Sequence, residues 1–127
     1  MSALAADADV VTMLHIFLGL WRQMLSDTEF RAGCPIVAVA VEVHDEAPEL
    51  TDTVSEVFTE WRETLATTLR AEGVSATRAA SLSTLMIAAV EGAVVLCQAD
   101  RSTQPLDEVG AELEVLIRAA LEVSTAN

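Results

Sequence analysis

Residues 79–99 read AASLSTLMIAAVEGAVVLCQA, and Glu91 is the only charged side chain among them. A run of this length and hydropathy either spans a bilayer or forms a core helix. Glu91 sits near its middle, where a charge in lipid costs a few kcal/mol, and Ser81, Ser83, Thr84 and Gln98 add polarity. Arg78 and Arg101 flank the run symmetrically, so no positive-inside bias orients it. The expectation is a fully buried helix at the centre of a helical domain, with no membrane contact.

Outward from this helix the chain is cut by clear signals. Gly73-Val74-Ser75 precedes it, a glycine suited to a helix end followed by a serine suited to a cap. Thr103-Gln104-Pro105 follows it, and Gly33-Cys34-Pro35 and Ala47-Pro48 lie upstream, each with a proline fit for a first helical turn. Asp9 can cap a first helix, and Glu49, Asp52, Asp107 and Glu108 put negative charge in first turns, where it complements the helix dipole. About five helices follow from these cuts, over roughly 10–26, 35–45, 48–72, 76–99 and 106–123. The fold class is all-α, a single helical domain over 1–127.

The faces differ from helix to helix. The first carries two apolar stripes, Val11, Leu14, Leu18, Trp21, Leu25 and Val10, Met13, Phe17, Leu20, Met24, so it should be contacted on more than one side. The third is amphipathic, with Val54, Val57, Phe58, Trp61, Leu65 and Leu69 on one face. The fifth has one stripe, Leu106, Val109, Leu113, Leu116, Ile117 and Ala120. The second contains IVAVAVEV, whose alternation would suit a strand, but its initial proline and the lack of partner strands favour a short buried helix.

Acidic residues outnumber basic ones by 20 to 7, giving a formal net charge of −13. All the basic residues are arginines, and they form no cluster, so direct contact with nucleic acid or an anionic membrane is disfavoured. The N-terminal MSALAADADV has acid where a signal peptide needs base, and two cysteines are too few for a disulfide framework; both point to the cytoplasm. His15 and His44 lack the neighbours of a metal site, and no nucleophile–base order or phosphate loop appears. No cofactor, no metal and no catalytic residue is expected.

The segment FRAGCPIVAVAVE, from Phe30 to Glu42, resembles the C-terminal domain of TetR/AcrR-type transcriptional regulators, particularly their LmrA/YxaF-like branch. Phe58 to Trp61 with Gly73, then AAVEGA from Ala88 to Ala93, Arg101-Ser102 and Pro105-Leu106, follow in the same order as in that family. The resemblance covers nearly the whole chain. It implies a TetR-like bundle whose first helix corresponds to about the fifth of the family, without the helix-turn-helix headpiece or the connecting helix.

The resemblance further implies an apolar ligand pocket and a homodimer. Phe17, Trp21, Val41, Phe58, Trp61, Met86 and Val90 are the large side chains that could face a pocket for a small hydrophobic ligand, or simply pack together. Glu91 could orient a ligand's donor group, or bond His15, His44, an arginine or a helix end, or reach solvent at a dimer seam. Cys34 could have its thiolate favoured by a helix start, or be a buried structural cysteine. In the family the last two helices pair with their copies, and the small-residue row Ala88, Gly92 and Ala99, interleaved with Leu85 and Val95 and beside Leu113 and Leu116, fits that use. Close packing within the monomer would explain the same row. The functional expectation is a ligand-sensing, dimerising, non-enzymatic regulator domain. A stand-alone module that pairs with related regulators, and a small helical enzyme or carrier, are the alternatives.

Overall fold

The computed structural model describes residues 9–42 and 47–126. His44 and the acidic pair Asp45-Glu46 lie outside them, as does all of the N-terminal segment before Asp9. The described chain forms α1 (Val10–Asp27), α2 (Pro35–Ala40), α3 (Pro48–Ala71), α4 (Ala76–Asp100) and α5 (Gln104–Ala126), with no strand among them.

The cuts work as their chemistry dictates. Asp9 Oδ1 accepts from Thr12 N–H at 2.8 Å and caps α1, and Ser75 Oγ accepts from Arg78 N–H at 3.3 Å and caps α4. Pro35 and Pro48 stand in the first turns of α2 and α3. Gly73, at φ 101°, supplies the left-handed turn between α3 and α4. The turn after α1 carries no glycine at its tightest point: Glu29 and Phe30 take φ of 54° and 63°, and Phe30 N–H bonds Leu25 O at 2.8 Å. Two consecutive left-handed non-glycine residues store strain there.

The core is where α1, α3, α4 and α5 meet. Val10, Leu25, Leu69, Leu82, Val94, Leu106 and Ile117 are its most enclosed large side chains. Both ends of α1 are fixed by polar contacts: its first N–H donates to Glu72 Oε2 at the end of α3 (2.9 Å), and Arg22 grips Asp107 Oδ1 at the start of α5 (2.6 and 3.0 Å). His15 and Arg118 both bond the Glu114 carboxylate, which pulls its pKa below the ordinary carboxylate range.

Two expectations need correction. The second helix is short but not buried: α2 has six residues, none of them buried, because it leans on α3 through Ile36 and Val37 while Ala38, Ala40 and Val41 face outward. The run at 79–99 is central but not fully buried. It packs against α1, α3 and α5 over only part of its circumference, 44% of its most apolar window is enclosed, and Leu85, Val95 and Leu96 are 45–53% exposed.

Candidate effector site and exposed helix face

An apolar cavity of about 90 Å³ lies among α1, α3 and α4. Met13, Leu14 and Phe17 form one wall, Trp61 and Leu65 a second, and Met86, Ile87, Val90 and Glu91 the third. On the far side of Ile87 and Glu91 a wider groove of about 430 Å³ opens between α2, α3 and α4, bordered by Val37, Phe58, Arg62 and Ala88. Ile87 and Glu91 line both spaces and stand as the partition between them. The inner cavity alone holds only a few heavy atoms, whereas cavity and groove together fall within the roughly 300–1,000 Å³ usual for small-molecule sites.

Glu91 is 9% exposed, and its Oε2 has no hydrogen-bond partner among the described residues. Burial pushes its pKa above the ordinary carboxylate value, opposed by a hydrogen bond from the Cys34 thiol. The same contact acts on Cys34, whose pKa is raised by burial first and by the Glu91 charge in addition, even though the backbone N–H groups at the start of α2 pull the other way. Cys34 therefore stays a protonated donor, the opposite of a thiolate nucleophile. Cys97 is fully buried, and burial raises its pKa too.

The candidate ligand residues separate into groups. Phe17, Trp61, Met86, Val90 and Glu91 come together around the inner cavity, and Phe58 lines the outer groove, edge-on to Trp61 at 5.5 Å between ring centres. Trp21 packs in the core with its ring edge-on to Phe17, away from both spaces. Val41 is 76% exposed and borders neither. Sequence reasoning missed Met13, Leu14, Leu65 and Ile87 as lining residues, and Arg62 in the groove. Periodicity could have found Met13 and Leu65, since they lie on stripes with Phe17 and Trp61, and Leu14 lies on the adjacent apolar stripe of α1.

The candidate interface residues lie as follows. Leu85, Ala88, Gly92, Val95 and Ala99 run along the exposed side of α4, and a Cβ built on Gly92 meets nothing within 4 Å. Packing within this chain thus does not account for a glycine at that point. Leu116 of α5 is 37% exposed, but Leu113 is 3% exposed and belongs to the core. Leu96, Val115 and Val123, at 53–65% exposure, extend the bare apolar surface and were not singled out by spacing. No group of metal-ligating side chains occurs among the described residues.

Residues 10–112 match the family described as transcriptional regulator LmrA/YxaF-like, C-terminal domain, of the TetR class. The chain belongs to this family. Two uncharacterized HTH-type transcriptional regulators of Mycobacterium tuberculosis, from strains CDC 1551 and H37Rv, are each 37% identical to it over 115 residues. The matched region is 86% of this chain and 59% of each relative, so the chain spans little more than half the length of these regulators. No solved structure gives a significant match. The all-α, five-helix architecture is that of a TetR-type C-terminal domain.

Proposed function

We propose that this chain is the effector-sensing and dimerisation domain of a TetR-like transcriptional regulator, cytoplasmic and non-enzymatic, with no direct nucleic-acid contact of its own. The observation that carries the reading is the apolar cavity shared by α1, α3 and α4, with a single carboxylate in its wall. A site of that composition suits a small hydrophobic ligand. It lies between the helices that hold the bundle together, so a ligand favouring a wider spacing of α1 and α3 shifts the domain towards that spacing.

Homodimerisation is supported by the exposed row on α4 together with the exposed apolar side chains Leu116, Val115 and Val123 on α5, which leave apolar surface on both of the last two helices. The net charge of −13 supports the lack of direct DNA contact.

The ligand reading is tested with Trp61 as reporter in a Trp21→Phe background, by titrating a panel of small hydrophobic compounds and following quenching and thermal shift together. Saturable responses at the same ligands are expected, and they should vanish when Met86→Trp fills the cavity. A panel giving neither signal would mean that the cavity is a packing defect.

A further inference from the structure

Glu91 stands in the wall of the cavity to which the proposed ligand-binding role, on which this inference rests, assigns the ligand. Its Oε2 is buried without a partner among the described residues, and one thiol, from Cys34, is the donor that reaches its carboxyl group. A buried carboxyl group lacking donors costs free energy that a matching ligand group recovers. Every other residue lining the inner cavity is apolar or aromatic, so no protein cation competes for Glu91 from that side. On the other side Arg62 borders the outer groove, where its Nη2 is 3.4 Å from Thr59 Oγ1. The electrostatic field agrees in sign, because a chain of net charge −13 concentrates cations and repels anions. Phe17 and Trp61 present aromatic rings at the same cavity, and ring faces favour a cationic head over an anionic one.

We propose that this cavity takes a lipophilic primary amine in its ammonium form, with the nitrogen donating to Glu91 Oε2, the first tail carbons among Phe17, Trp61 and Met86, and the rest of the tail running past Ile87 into the outer groove. The carboxylate gains the donor it lacks, and the ammonium exchanges hydration for a charge-assisted hydrogen bond. A neutral alcohol supplies one weaker donor, and a carboxylate ligand supplies none.

The test uses three probes with one tail length, octylamine, 1-octanol and octanoate, titrated into the full chain at neutral pH and physiological salt by calorimetry and Trp61 fluorescence. Octylamine should bind about tenfold or more tightly than octanol, with octanoate weakest. In Glu91→Gln the amine should lose about that factor while octanol is unchanged, and the exposed control Glu56→Gln should leave both alone. Arg62→Gln, which removes the cation bordering the outer groove, should leave octylamine binding equal or tighter. The wild-type amine-to-alcohol ratio needs no variant, so it stands even if a substitution harms folding. Equal binding of octanol and octylamine, or an amine preference that survives Glu91→Gln, overturns the amine assignment while leaving the cavity a ligand site. Binding of none of the three overturns the site itself and the amine assignment with it.

Discussion

A Cβ built on Gly110 would lie 2.5 Å from Leu18 Cδ1, so any larger residue at this point of α5 must push a core side chain of α1 aside. The contact lies between the Arg22–Asp107 and His15–Glu114 pairs, which hold the same two helices together from outside. Gly110→Ala should force Leu18 out of its rotamer and cost about 1–3 kcal/mol, despite the better helix propensity of alanine. Urea denaturation measures it. The double variant Gly110→Ala with Leu18→Val should recover part of the loss, and a double variant no better than the single one would place the strain elsewhere.

Glu91 should make stability fall with rising pH. Its folded pKa lies above the ordinary 4.5, so between those values the folded chain holds a proton that the unfolded chain has released. Stability from this group is therefore greatest at or below the unfolded value, and it is lost as pH rises through the raised folded one. Glu91→Gln removes the dependence. The variant should match wild type near pH 4.5 and exceed it at neutral pH, by about 1.4 kcal/mol for each unit separating the two pKa values. Paired denaturation curves across pH give the gap directly, and a gap that does not grow with pH would rule out the buried-carboxylate account.

Gly92→Leu and Val95→Arg should separate the subunits without unfolding them. Gly92 has open space beside it and Val95 is 53% exposed, so neither substitution meets its own chain. Light scattering should show the mass halved at a concentration where wild type is dimeric, with helical circular dichroism retained. A mass unchanged in both variants would move the interface off α4.

Glu29→Gly should stabilise the domain. Glu29 sits at φ 54°, a conformation that costs a non-glycine residue about 1–2 kcal/mol, and glycine loses roughly 0.5–1 kcal/mol of that gain through the greater freedom of its unfolded chain. Its side chain is 80% exposed and 4.0 Å from Arg31, a pair too weak to offset the relief. A gain of up to about 1.5 kcal/mol is expected, read as a higher denaturation midpoint with unchanged slope.

The helices were legible because each boundary carries a residue with a local physical role: Asp9, Ser75 and Gly73 act through their nearest neighbours, and the structure uses them as spacing suggests. Much of the inner cavity was legible too, since Phe17, Trp61, Met86 and Val90 lie on apolar helix faces that must converge. What spacing could not supply was how much of α4 its neighbours cover. An all-round apolar helix looks the same in sequence whether its last face meets its own chain or stays bare, and Leu85 and Leu82 differ in exposure only through packing. Val41 was misleading for a related reason, because six residues of α2 are too few to turn both faces inward. The Glu29–Phe30 turn gave no signal, since neither residue favours the left-handed region.

The hydrogen bond from Val10 N–H to Glu72 ties the start of α1 to the end of α3, and these are the two helices whose side chains face each other across the inner cavity. Along α1 the lining residues run Met13, Leu14, Phe17, and along α3 they run back from Leu65 to Trp61, so the tie lies at one end of the two walls and the rings at the other. The arrangement is that of a pair of tongs, pinned at Val10 and Glu72, with the aromatic rings of Phe17 and Trp61 nearer the tips. Widening the cavity at the rings can leave the pin intact, whereas widening it beside Met13 and Leu65 loads the Val10–Glu72 bond directly.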